Sequence, residues 1–177
     1  MVKINFINDR ELARRFKAGK VPSLERFIYF MFSVILVAAM PFYFLPAITN
    51  AELAGDVITT LFMIFGSVYL YTRNKKGDNK EFIERYVSLA FPVLIQSILV
   101  ALVSTIIIIS ALYGVSYIPA FQKSLESMNE TDAREYASRI FEDAPIILIT
   151  LIFNVYFLLR MSASIKIAAG VITGAKK

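Results

Sequence analysis

Any chemistry this chain performs has to come from carboxylates, hydroxyls and amides, because its 177 residues include no His and no Cys. That removes imidazole bases, thiolate nucleophiles, zinc sites of the usual nitrogen and sulfur kind, and disulfides. The acids best spaced to gather a divalent ion are Asp132, Glu135, Glu142 and Asp143. They interleave with apolar residues at helical spacing and read as the solvated face of an amphipathic helix. No P-loop, GxSxG or HExxH pattern is present. Within the long apolar stretches the strongest polar residues are Gln96 and Asn154, and no Asp, Glu, Lys or Arg lies deep in any of them. A proton relay or ion-coupled pump therefore has no visible carrier. The expectation is a chain that is not an enzyme and needs no catalytic residue, metal or cofactor.

The elements that would position these residues are transmembrane helices. The chain is 57% hydrophobic with a mean hydropathy of +0.61, too apolar for a soluble domain to bury. A hydrocarbon core about 30 Å thick needs about 20 apolar helical residues. Four stretches qualify, and a single membrane domain follows: a basic N-terminal segment 1–26, spans at 27–48, 53–72, 79–117 and 144–165, an outer loop 118–143, and a tail 166–177. The 26 residues ahead of the first apolar run do not fit the short basic lead of a signal peptide.

Orientation follows from charge. Of 19 Lys and Arg residues, seven lie in the N-terminal segment, five between the second and third spans, and four from Arg160 to the end. The other three sit among six acids in 117–143, and the 49–56 loop has only Glu52 and Asp56. The positive-inside rule then places both termini in the cytoplasm, in a bacterial inner membrane. The net charge of +5 thus reads as membrane topology, not as a nucleic-acid interface. Aromatic residues at the span ends, such as Phe27, Tyr69, Tyr86 and Tyr117, form an interfacial belt.

Local signals refine the picture. Asn8 or Asp9 caps a short basic helix carrying Leu12 and Phe16, ended by Gly19 and Pro22. Arg14, Arg15, Lys17 and Lys20 on it, with Arg73 and Arg160 at span ends, are the candidate membrane-anchoring residues. Asp78 and Glu81 form a capping-box-like start for the third helix, supported by Glu81–Arg85 and Lys80–Glu84 pairs, and Pro92 should kink it. Ser97, Ala101 and Thr105 recur every fourth residue, a small-residue seam for helix packing with Gln96 beside it and Asn154 on the last span. In the outer loop, Pro119 opens one helix and Thr131 caps another whose apolar stripe includes Tyr136, Ile140 and Phe141, with Pro145 marking the turn into the fourth span.

The two halves also align. Leu24-Glu25-Arg26-Phe27 falls on Ile83-Glu84-Arg85-Tyr86, and Asp56, Leu61, Val68, Tyr69 and Arg73 fall on Asp143, Leu148, Val155, Tyr156 and Arg160. Duplicated hairpins would produce this, as would the small alphabet of apolar helices under the positive-inside rule.

The function expected is therefore binding. The chain should be an accessory subunit or an inhibitor or immunity-type factor, in contact with the lipid bilayer and with a membrane-protein partner or a second copy, and not with nucleic acid. In size and topology alone it is similar to the four-helix immunity proteins that protect bacteria from pore-forming colicins, with no residue motif behind the likeness. The alternative is a small transporter or channel formed by oligomerisation, its polar track lined by Gln96, Ser97, Ser104, Thr105 and Asn154.

Overall fold

The computed structural model describes residues 4–38 and 49–171, and all its regular elements are helices. They are α1 (Asp9–Lys17), α2 (Ser23–Ala38), α3 (Asn50–Lys75), α4 (Phe82–Ser116), α5 (Pro119–Glu126), α6 (Glu130–Ser138) and α7 (Ala144–Ala168), with a π-helical turn, Arg139–Asp143, joining the last two. Three continuous helical stretches, 50–75, 82–116 and 130–168, are long and apolar enough to cross a membrane. The outer part of the expected first span, 39–48, lies outside the described residues, as does the end of the tail from 172.

Helix ends obey local chemistry. Asn8 accepts a hydrogen bond from the Glu11 amide at 3.1 Å and so caps α1, whose acids lie in its first turn and bases in its last, complementing the helix dipole. Thr49 and Glu52 close a reciprocal capping box on α3 at 3.1 and 2.9 Å, which extends that helix outward to Asn50. α4 continues unbroken through the buried Pro92.

Three local expectations are corrected, the first at α6, which Asn129 caps in place of the expected Thr131 by accepting from the Asp132 amide at 2.9 Å. α4 starts at Phe82, and no capping box joins Asp78 to Glu81, because Asp78 is engaged by Arg85 through two bonds of 2.6 Å. Glu81 instead sits in the left-handed region at φ 47° without a side-chain cap, 3.3 Å from Arg26, and Glu84 also pairs with Arg26. The reason is burial: the Arg85 side chain is only 3% exposed, and a charge so enclosed recruits the nearest carboxylate, which keeps one backbone bond, from the Lys80 amide at 3.2 Å. Pro145, likewise, does not mark a turn. α6 runs through the π turn into α7 as one helix of 39 residues, 130–168. The inserted residue of a π turn reorganises the hydrogen-bond ladder just where Pro145 supplies no donor.

The long helices stand in a row. α2 packs on α4, α4 on α7, and α7 on α3, while among the described residues α2 and α3 share no packed interface. α1 lies across α7 and α4. The two aligned halves are thus packed differently, since α4 and α7 form an extensive interface and their counterparts α2 and α3 do not. The core sits at the basic end of the row, where Leu12, Ala13 and Phe16 of α1 are buried with Tyr29, Leu70, Leu89, Met161 and Ile165. At the opposite end, α5 covers one flank of the α6 stripe, with ring centroids of Phe121 6.3 Å from Tyr136 and 5.7 Å from Phe141.

Candidate functional site

Besides the pairs of Arg26 with Glu81 and Glu84, three ion pairs join segments at the basic end, and the first begins in α1. Asp9 is in phase with Leu12, Ala13 and Phe16, so it is carried into the bundle with the apolar stripe and is fully buried. Its carboxylate accepts from Arg160 Nη2 at 2.7 Å, from Gln96 Nε2 at 3.0 Å, and from the Ser164 hydroxyl. Gln96 also donates to the Ile7 carbonyl and accepts from the Tyr156 hydroxyl at 3.2 Å. Tyr156, Arg160 and Ser164 are successive fourth residues on one face of α7, so a single helix face presents all three to the N-terminal segment.

The second pair is bidentate: Arg15 grips the fully buried Glu25 with two bonds of 2.7 Å, joining α1 to α2, and Glu25 holds the guanidinium pKa above its ordinary value. In the third, the Arg85 guanidinium holds the Asp78 carboxyl below the usual range and also donates to Asn74 Oδ1 at 3.1 Å. The loop bearing Asp78 crosses the end of α7, where the Asp78 amide donates to the Ala169 carbonyl at 3.0 Å.

Beyond these pairs a cleft of about 220 Å³ opens between α3, α4 and α7, with Ser33 of α2 at its edge. Ser33 of α2, Thr59 and Gly66 of α3, Tyr86 and Ala90 of α4, and Asn154 of α7 lie around a mostly aliphatic and aromatic lining. Asn154 binds α3 through Thr59 Oγ1 at 3.1 Å and its own helix through the Thr150 carbonyl at 2.9 Å. No family model, curated protein or solved structure matches the chain. Its function is therefore argued from this geometry alone.

The residues singled out by sequence fall into distinct places. Ser97 is buried and Ala101 and Thr105 half-buried on α4, but the Ser97 and Thr105 hydroxyls bond back to the carbonyls of Val93 (2.8 Å) and Ala101 (2.9 Å), within their own helix. Gln96 and Asn154 do bridge elements, although to different partners. Of the basic residues, Arg14, Lys17 and Lys20 are exposed, Arg73 lies 4.8 Å over the Tyr69 ring, and Arg15 and Arg160 are turned into internal pairs. The α1 stripe that a lipid surface would receive is spent inside the bundle. In the outer loop Tyr136 is exposed and Ile140 and Phe141 are half-buried.

Sequence reading missed Asp9 as a buried anion and missed the close approach of α3 to α7. A Cβ on Gly55 would lie 3.3 Å from Thr150 Oγ1, and one on Gly66 3.2 Å from Leu158 Cδ1. Ala51, Gly55 and Thr59 carry the same every-fourth-residue signal as the seam on α4. Replacing Asn154 by Leu is expected to cost about 1 kcal/mol, typical of an interhelical hydrogen bond in lipid, because Thr59 Oγ1 loses one donor while its hydroxyl can still donate to a carbonyl of its own helix. A denaturant titration in mixed micelles reads this, and a loss above 3 kcal/mol would show that Asn154 does more than hold α3.

Proposed function

We propose that the chain is a four-span inner-membrane protein with both termini cytoplasmic, and that it acts by binding another membrane component, as an accessory subunit or an inhibitor or immunity-type factor. The observation that carries this reading is the row of helices. A closed bundle covers the inner flank of every helix, whereas here α2 and α3 each keep a flank that no other described helix covers. On α3, Leu61, Ile64, Phe65 and Val68 are exposed, and on the outer half of α4, Leu102, Val103, Ile106 and Ile107 are all more than half exposed. Apolar flanks at this depth meet either lipid or another helix, and small residues such as Gly55 and Gly66 already let α3 pack closely on one side. The polar side chains of a transport track are engaged elsewhere, Gln96 with α1 and Asn154 with Thr59, which leaves the alternative without a supporting contact.

The topology draws support from where the charges lie. Arg15, Arg26, Arg85 and Arg160 gather with the loop 76–81 at one end of the row, and the acidic segment 117–143 stands at the other. Because the chain lacks Cys, a single Cys at Phe65 gives a site-specific crosslinker. In the native membrane it is expected to trap one discrete protein or a second copy, and deletion of the chain is expected to change the activity of that partner. A monodisperse, uncrosslinked protein whose deletion changes nothing in any neighbour would contradict the proposal.

A further inference from the structure

We infer that the cleft between α3, α4 and α7 holds an acyl chain of an anionic phospholipid from the cytoplasmic leaflet, with its phosphate on the lysines of the α3–α4 connection. The inference rests on the membrane reading above and identifies one of the components that the chain binds.

The cleft is a gap that the described residues leave unfilled. An empty gap costs the packing contacts of every atom that lines it, and in a membrane the solvent available to fill it is hydrocarbon. Three of its polar side chains are already engaged, Ser33 donating to the Tyr29 carbonyl at 3.0 Å and Asn154 donating to Thr59 and to the Thr150 carbonyl, and most of the remaining lining is aliphatic or aromatic. What enters should therefore be apolar along its length. Because the described residues of α2 and α3 share no packed interface beside it, a lipid can enter from the bilayer between them.

The charge at the inner mouth selects the headgroup. Ser67, Tyr71 and Lys75 lie on successive turns of α3, leading from the cleft lining past an aromatic edge, where Tyr71 meets Phe82 at 5.4 Å and Phe82 meets Tyr86 at 5.8 Å. Arg26 is balanced by Glu81 and Glu84, and Arg85 by Asp78. Lys75, Lys76 and Lys80 are exposed, and none has a carboxylate within ion-pair distance among the described residues. Lys80 stands two residues before Phe82, and its carbonyl is held by Asn74 Nδ2 at 3.3 Å, which ties its backbone to the buried Arg85 cluster. Three uncompensated lysines at headgroup level, beside a slot sized for hydrocarbon, complement a lipid with a net negative phosphate.

The chain has no Trp, so one introduced Trp reports its own surroundings. Phe62→Trp places it in the cleft lining, Phe153→Trp gives a second reporter from the facing helix, and Ile106→Trp places one on the exposed face of α4. Each protein is reconstituted in phosphatidylcholine vesicles with small fractions of phosphatidylglycerol or phosphatidylcholine brominated on the acyl chain. Quenching of Phe62→Trp and Phe153→Trp is expected to half-saturate at about tenfold less brominated phosphatidylglycerol than phosphatidylcholine. Adding Lys75→Gln, Lys76→Gln and Lys80→Gln should erase the preference, and Ile106→Trp should respond to both lipids alike. Equal response to the two lipids at both cleft reporters, or none, with Ile106→Trp still quenched, would overturn the lipid site and leave the membrane reading standing. Absence of quenching at Ile106→Trp by either lipid would contradict the membrane reading itself.

Discussion

Replacing Asp9 by Ala is expected to lower the unfolding free energy by about 3 kcal/mol, the cost of breaking an enclosed ion pair by removing one partner. Asp9 is fully buried and is the acceptor for Arg160, Gln96 and Ser164 together. Without it, three donors face an apolar hole, and Arg160, whose Nε already lacks a partner, loses its counter-charge. The figure is set at the lower end of the range for such pairs because the Arg160 side chain is 26% exposed and water can reach part of it. The loss should appear first as release of α1, since Asp9 is the polar contact that locks this short helix to α4 and α7. Proteolysis at Lys17 or Lys20 would report that release directly. Removing both charges, as in Asp9→Leu with Arg160→Leu, is expected to recover most of the stability, because paired removal leaves no stranded ion. A single-variant loss below 1 kcal/mol would mean that the hub is not what holds α1.

The second large effect is expected at Gly77, for steric reasons. A Cβ there would lie 2.1 Å from the carbonyl oxygen of Ala169 and 2.7 Å from its Cβ. Both neighbours belong to the end of α7, which cannot give way as a flexible side chain can. Gly77→Ala should therefore cost about 2–3 kcal/mol, the upper part of the range for overpacking. The displaced loop carries Asp78 away from Arg85, so the substitution also opens the buried Arg85 cluster. Gly114→Ala is the matched control. No atom lies within 4 Å of the added methyl, and alanine favours a helix over glycine, so its stability should be unchanged or slightly raised. Thermal unfolding of both variants in the same detergent separates a steric cause from a general intolerance of substitution at glycine.

The elements were largely legible because they depend on local rules. A cap at Asn8 or Asp9, of which the helix uses Asn8, the termination of α1 near Gly19 and the long apolar helices follow from composition and spacing along one stretch of chain. Contacts between distant segments were less visible. Asp9 looks like an ordinary first-turn acid until its phase with Leu12, Ala13 and Phe16 is taken together with a basic face on α7 about 150 residues later. Asp78 and Glu81 satisfy a capping pattern, yet the pattern knows nothing of a buried Arg85 competing for the same carboxylate. Pro145 is a breaker in most helices, and only the π turn that precedes it lets α6 and α7 continue. The open row could not be read at all, since it depends on the described residues of α2 and α3 sharing no packed interface, and apolar helices of similar sequence pack equally well in a ring.

The central claim is that this row of helices crosses a membrane with its basic end inside. Reporter fusions at residues 78 and 125 test it most directly, because the claim places the first in the cytoplasm, beside the Arg85 cluster, and the second across the bilayer, in the α5 segment. Opposite sides for the two reporters is the result expected; the same side for both would contradict it.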